Sequence, residues 1–283
     1  VPELPEVETV RRGLAGRVVG RRIEQVEIGR ERTVRRTSPR AVIDGLTRTT
    51  ITAARRRGKY LVADLDSGDS VMIHLRMSGQ LLVAPVGSER PPHTHVVLTL
   101  AAGAGFAREE LRFVDPRTFG EVVVFDPERV AVELPELARV GVDPIADGLT
   151  VEGLRAILRG RRRRLKGLLL DQQAIAGIGN IYADEILHAA KLRPDRTTDT
   201  LRRADVARLH GAIEHVLGAA VAAGGSTLRD SQYVDLMGDG GSYQDDHRVY
   251  GRAGLRCTTC GRADVVRVVA GGRSTHYCPR CQR

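Results

Sequence analysis

Tryptophan is absent, and lysine is nearly so: Lys59, Lys166 and Lys191 are the only three among 44 basic side chains. No stretch approaches the roughly 18 consecutive apolar residues of a membrane-spanning helix. No basic helix carries the aromatic face of a membrane-surface anchor. A membrane partner is therefore not expected. The N-terminal segment is acidic and proline-rich, unlike a signal peptide, so the expected compartment is the cytoplasm or its nucleoid. Cysteine is missing before position 257, and no internal repeat or low-complexity segment occurs.

What is present is a chain of 283 residues, 42% of them hydrophobic, enough for two domains and a sizeable core. Lys+Arg number 44 against 35 Asp+Glu, a formal net charge of +9. That balance favours a polyanionic partner, and without membrane features the expected one is nucleic acid. A GC-rich genome would produce the arginine bias by itself. The same bias gives the three lysines more weight, because a lysine can give up a proton and an arginine does not.

The hydrophobic pattern predicts an α+β protein. Val7, Val10 and Leu14 fall at helical spacing, so a short helix is expected from near Glu6. From 23 to 125 the pattern is one of short strands, at 60–65, 71–74, 81–83, 95–100 and 122–125, separated by Gly, Pro, Asp and Ser. Such spacing predicts a β-sandwich or barrel. Residues 126–150 read as a linker. Helical patterns follow at 151–158, 165–171, 181–190 and 205–223, ending at Gly224-Gly225. Residues 227–246 read as a long polar, glycine-rich loop with few core residues, and loops of that length are usually functional or disordered. The expected domains are 1–126, 127–246 and 247–283.

The opening Val1-Pro2-Glu3-Leu4-Pro5-Glu6-Val7-Glu8 carries the most chemistry. If residue 1 is removed, Pro2 becomes a secondary amine and a nucleophile. With an aldehyde it condenses to a cationic iminium, and carboxylates stand next to it. With Val1 retained, Pro2 nitrogen is an amide and inert. At the other end, Cys257-x2-Cys260 and Cys278-x2-Cys281 are separated by 17 residues, 261–277. That spacing predicts one structural zinc with four thiolates and no open coordination position. Two disulfides are the rival reading, which a reducing compartment disfavours.

Between these ends, Lys166-Gly-Leu-Leu-Leu-Asp171 leads through Gly177-Ile-Gly179 to Asn180-Ile-Tyr182, a helix, a tight turn and a helix. Its second helix would offer amides to an anion, with Asn180 as cap; a helix pair without a ligand is the bland alternative. The run 161–164, four arginines, favours phosphate. Met77 in His74-Leu-Arg-Met-Ser-Gly79, with Arg117 and Phe119 in Asp115-Pro-Arg-Thr-Phe-Gly120, sit on turns from which side chains could enter a base stack. Core or chance is the alternative for each alone. His93-x-His95 lacks a third metal ligand, and a phosphate contact is the better assignment.

In this order the motifs resemble the bacterial formamidopyrimidine-DNA glycosylases, of the Fpg/Nei family. The carriers run from Pro2-Glu-Leu-Pro-Glu-Val-Glu8 through Arg57-Gly-Lys59-Tyr60, the two wedge turns and Gly177-Ile-Gly-Asn-Ile-Tyr182 to Val249-Tyr-Gly-Arg252 and Arg273-Ser-Thr-His-Tyr-Cys-Pro-Arg-Cys281. The resemblance implies an N-terminal β-sandwich, a helical domain with a helix-two-turns-helix motif, and a C-terminal zinc finger, with damaged double-stranded DNA as partner of a monomer. It implies excision of oxidised purines through a Schiff base on Pro2, then β,δ-elimination. Glu3 would supply the acid, Lys59 a proton in β-elimination, and Arg273 a phosphate grip linked to δ-elimination. Met77, Arg117 and Phe119 would fill the gap left by the flipped base. His74, His93, Arg117, Arg162, Lys166, Asn180 and Tyr182 would meet DNA, and residues 227–246 would close over the base. Leu4 favours this branch over the endonuclease VIII branch, which prefers oxidised pyrimidines.

Thr118 departs from the family pattern, standing where many members have a second basic residue. Residues 232–243 also differ, so contacts to the oxidised base are not assigned. Val1 is accounted for if a GUG codon starts translation with methionine, which is trimmed before proline. Besides the active glycosylase/lyase, two readings stand: a pyrimidine-preferring enzyme on the same fold, and a DNA-binding relative without a free Pro2 amine.

Overall fold

The computed structural model describes every residue except 1, 104, 161 and 229–232. Val1, Arg161 of the arginine run and part of the glycine-rich loop thus lie outside the described residues. The chain forms two compact units, Val1–Arg139 with Ala223–Ser242, and Val140–Ala222 with Tyr243–Arg283.

The first unit opens with helix α1, Leu4–Arg17, two residues earlier than the spacing suggests. Pro5 sits in its first turn, where a missing N–H costs nothing. Val7, Val10 and Leu14 face the core, as their spacing predicts. Two four-stranded antiparallel sheets follow. One has the order β1-β6-β7-β5, with β1 Ile23–Ile28, β5 Gln80–Pro85, β6 Thr94–Leu100 and β7 Glu109–Val114. The other has the order β2-β3-β4-β8, with β2 Ile51–Arg57, β3 Tyr60–Leu65, β4 Ser70–His74 and β8 Glu121–Phe125. Apolar residues of both sheets and of α1 share one core, so the sandwich is confirmed. Helix α2, Pro39–Leu46, lies between β1 and β2 in sequence and adds Val42 and Leu46 to that core.

Three strands, β1, β2 and β7, lie outside the segments expected from the sequence, and two of them carry buried charge. In β7 all six residues are buried, although three are charged. Glu109 takes Arg21, whose Nη1 lies 2.7 Å away, and Glu110 takes Arg112 and Arg90, each at 2.8 Å. In β2, Arg56 is buried against Glu8. The supposed linker is not a plain tether either. It holds α3, Val130–Glu133, and α4, Pro135–Ala138, and Leu134 and Leu137 pack on Val62, Met72, Val123 and Phe125. The few core residues of 227–246 tie the segment to the sandwich. Tyr233 and Leu236 belong to the sandwich core, and Val83 N–H donates to the Leu236 carbonyl at 3.0 Å.

The second unit contains α5 Val151–Leu158, α6 Leu165–Leu169, α7 Asn180–Ala189 and the 20-residue α8 Arg203–Ala222. Residues 181–188 of α7 are all buried, which makes it the central helix of the unit. The finger is a hairpin of β9, Val266–Ala270, and β10, Arg273–Tyr277. Gly271 and Gly272 join them with φ of 58° and 74°, a two-residue turn with both φ positive that suits a twisted hairpin.

Candidate functional site

Pro2 and Glu3 are buried at the head of α1. Glu3 and Glu6 form a reciprocal capping box, in which Glu6 Oε2 accepts from Glu3 N–H at 2.8 Å. The other Glu6 oxygen accepts from Ser226 N–H at 2.7 Å, and Tyr233 donates its hydroxyl to the Glu6 carbonyl at 3.3 Å. One buried carboxylate thus ties the proline-bearing terminus to the segment after α8. Gly225 makes this approach possible: its φ is 82°, and a Cβ there would lie 2.7 Å from Glu6 Oε1. Glu6, one of the carboxylates beside Pro2, thus has both oxygens on backbone N–H groups, and the i, i+3 spacing of Glu3 and Glu6 is its capping-box signal.

Glu8 is structural. Burial works to raise its pKa, but hydrogen bonds from Arg11, Arg56 and Arg12 pull it down to about 2. Arg56 joins Glu8 at 3.1 Å to the Gly58 carbonyl at 2.9 Å. It thereby fixes the β2–β3 turn, Gly58-Lys59, on which Lys59 stands half-buried.

His74 ends β4, 8% exposed and edge-on to Tyr60 at 4.5 Å. Burial, then the charges of Arg76 and Lys59, lower its pKa to about 3. Its Nδ1 accepts from Arg76 N–H at 3.0 Å, which leaves the proton on Nε2. A neutral imidazole with an Nε2 donor suits a phosphate oxygen.

Asp115 organises the two wedge turns and was missed in that role. Its Oδ1 accepts from Ser78 Oγ at 2.5 Å and Arg117 N–H at 3.2 Å, and its Oδ2 from Gly120 N–H at 2.7 Å. The structure thereby brings Met77 and Arg117 together, with Arg117 Nη1 4.0 Å from Met77 Sδ. Met77 and Phe119 are 40% and 45% exposed, so both apolar side chains are open to a partner on these turns. Arg76, Thr118 and His93 have φ of 53°, 55° and 66°. Such strained positions gather at functional sites. His93 is exposed, whereas His95 is buried with Nε2 on the Asp115 carbonyl at 2.9 Å, so the two do not form a metal pair.

In the second unit, Gln172 staples the glycine turn. Its Nε2 donates to the carbonyls of Leu170 at 3.0 Å and Ile178 at 2.8 Å, and its Oε1 accepts from Gly177 N–H at 2.9 Å. The N-cap of α7 is Gly179; Asn180, the expected cap, is the first helical residue. Tyr182 is 0% exposed, its ring 5.8 Å from that of Tyr243. Arg162 is exposed and lies 3.6 Å from Asp199. Arg273 is exposed where β10 leaves its turn.

Lys166 is buried, unlike the exposed Arg162. It is 4% exposed, with Nζ 2.7 Å from Asp184 Oδ1 and donating to the Ser274 carbonyl at 2.8 Å. Asp184 is fully buried, and its Oδ2 accepts from His276 N–H at 2.8 Å. The ammonium is held inside the fold by Asp184 and the Ser274 carbonyl. It anchors the strand that begins with Arg273.

The four cysteines are free thiols whose sulfurs all lie within 4.8 Å of one another. Cys257 Sγ to Cys281 Sγ and Cys260 Sγ to Cys278 Sγ are each 3.8 Å. A tetrahedron with Zn–S bonds of about 2.3 Å has edges of about 3.8 Å, so the cage fits one zinc ion. Backbone N–H groups of Arg262 and Cys281 donate to Cys260 and Cys278 sulfurs at 3.4 Å. His188 Nε2 lies 3.7 Å from Cys257 Sγ. The disulfide reading falls, and the zinc assignment stands.

A mixed α and β protein with a four-thiolate finger and a helix–glycine-turn–helix module is thereby defined. Residues 1–122 match the formamidopyrimidine-DNA glycosylase N-terminal domain, 140–232 its H2TH domain, and 254–283 the zinc finger found in FPG and IleRS. The formamidopyrimidine-DNA glycosylase of Thermosynechococcus vestitus is 44% identical, over all of this chain and 97% of its own. That of Salinispora tropica is 45% identical, over all of this chain and 96% of its own. Among solved structures, the complex between the Lactococcus lactis Fpg and an abasic site containing DNA aligns with a TM-score of 0.88 at 35% identity, covering 99% of each chain. The complex between the wild-type L. lactis Fpg and a N7-benzyl-Fapy-dG containing DNA aligns with a TM-score of 0.88 at 35% identity, covering 100% of each chain. The chain belongs to the formamidopyrimidine-DNA glycosylase family.

Proposed function

We propose that this chain is a bifunctional DNA glycosylase and AP lyase of base excision repair, acting as a monomer in the cytoplasm on oxidised purines in double-stranded DNA. The observation that carries the reading is the buried Pro2–Glu3–Glu6 arrangement, in a chain whose family and relatives bear the glycosylase name. An α-amino group titrates near 8, against about 10.4 for lysine, so more of it is neutral and nucleophilic at physiological pH.

In the proposed reaction, Pro2 nitrogen attacks C1′ of the damaged nucleotide. The glycosidic bond breaks, and its electron pair leaves with the base, which gains a proton. The sugar ring opens as O4′ takes a proton from Glu3, leaving a Pro2 iminium. That cation draws electrons as the 2′ proton is lost and the 3′ phosphate leaves, with Lys59 supplying a proton. A second elimination releases the 5′ phosphate, which Arg273 grips. Met77, Arg117 and Phe119 fill the vacated stack and offset the few kcal/mol that base extrusion costs. His74, His93, Arg162 and Asn180 hold phosphates, and Tyr182 and Lys166 support these contacts from inside the fold. Residues 1–126 supply the nucleophile and wedge, 127–246 the helical module and lesion loop, and 247–283 the finger.

Protein with a Pro2 terminus verified by intact mass is expected to give a covalent adduct when borohydride is added with 8-oxoguanine duplex. No adduct from such protein would sink the enzyme reading. Faster release of oxidised thymine than of oxidised guanine from matched duplexes would overturn the purine preference.

A further inference from the structure

A groove of about 650 Å³ in the second unit has a charge balance that the proposed reaction does not use. Six cations line it: Lys191 after α7, Arg196 and Arg208 beside and within α8, Arg262 after the first knuckle, and Arg280 and Arg283 at the second. The remaining wall is Thr259, Cys260 and Cys281, with no carboxylate, aliphatic or aromatic side chain.

Arginine abundance alone does not produce this. Another groove of the second unit, of about 790 Å³, is also arginine-lined, yet Glu152 and Asp199 share its wall and Arg162 faces Asp199. In the first groove the counter-charges fall short. Asp205 takes Arg196 at 2.7 Å and Arg208 at 2.6 Å. Four thiolates around one zinc ion carry a formal charge of about −2. Six positive charges, less one for Asp205, one for the α-carboxylate that Arg283 carries and two for the metal centre, leave about two uncompensated. Lys191, Arg262, Arg280 and Arg283 share this surplus, since none has a side-chain carboxylate at ion-pair distance among the described residues.

We propose that this groove is a second polyanion site, which takes the phosphodiester backbone of nucleic acid outside the lesion-processing site. Guanidinium and ammonium groups grip phosphate oxygens through charge-assisted hydrogen bonds. With no aromatic wall, the groove has nothing on which unpaired bases could stack. With no hydrophobic residue in its wall, the groove offers an acidic peptide's apolar side chains no pocket beyond the alkyl stems of its cations. Recognition is therefore of phosphate alone and independent of sequence. The inference does not rest on the chemistry of Pro2.

The test titrates an undamaged duplex, too short to reach more than one site, into zinc-loaded protein and reads stoichiometry by sedimentation. K191S/R262S/R280S is compared with R30S/R32S/R40S, which removes the same charge from exposed positions of the first unit. Wild type and control are expected to take a second duplex, and the groove variant only the first. Three phosphate contacts correspond to a log–log salt slope near −2.7, at about −0.9 each. Inorganic polyphosphate should displace the second duplex and polyglutamate should not. Equal zinc content in all three proteins shows that the finger is intact. The proposal is overturned by a single duplex on wild type, by a second duplex on the groove variant, by polyglutamate competing as well as polyphosphate, or by polyphosphate binding with no second duplex.

Discussion

At the scale of single residues, buried charges decide the site. Lys166 and Asp184 pair where neither reaches solvent, and Asp184 also receives His276 N–H, so one carboxylate joins α6, α7 and β10. Removing one partner of such a pair strands the other. Lys166→Met should therefore cost about 3–5 kcal/mol in urea unfolding with zinc in excess. K166M/D184L should recover much of that loss. A K166M protein as stable as wild type would show that the pair does not hold the unit together. None of this was legible beforehand. A lysine beside an arginine run reads as a surface cation, and sequence spacing does not say which carboxylate waits inside.

At the scale of elements, the sulfur cage and the helix behind it act together. Cys257 receives its contact from His188 on α7, a residue the sequence reading passed over. Partners that hold a metal ligand through a second hydrogen bond are typically worth 10–100-fold in metal affinity. His188→Leu keeps the bulk and removes the donor. It should lose zinc to a chelator about tenfold faster than wild type, while its circular dichroism stays unchanged in excess zinc. An unchanged release rate would assign His188 to packing alone. The zinc ligands were legible because a CxxC pair encodes its own geometry. Strand β7 was not, because Glu109, Glu110 and Arg112 read as surface until Arg21 and Arg90 are placed beside them. The same holds for 227–246, where Tyr233 and Leu236 looked like isolated apolar residues in a glycine-rich loop.

At the scale of the whole molecule, stability should fall in acid in two steps within the first unit. His74 has a folded pKa of about 3 against an ordinary 6.5, so the unfolded chain binds its proton first as the pH drops. The stability that neutral His74 contributes is complete above 6.5 and declines as pH falls from there towards 3. Glu8, lowered from 4.5 to about 2, has the same sign, and its contribution declines between those values. Hydrogen exchange of the sandwich strands, which does not depend on the finger, should show both steps. H74N should flatten the upper window and E8Q the lower. Persistence of the upper step in H74N would move its origin to another group.

The sequence by itself determined the elements whose information is local. These are α1 from its apolar spacing, the turn between helices from its glycines, the zinc ligands from the CxxC pairs, and the family from the order of its motifs. Tertiary structure decided everything that depends on a partner distant in the chain. It placed Glu6 against Ser226, 220 positions away, and Lys166 on Ser274, 108 positions away. It also gathered six cations into one groove. The physical reason is that a charge in sequence has no sign of its own environment. Whether it is solvated, paired or left in surplus is settled only when the fold brings its neighbours within a few ångströms.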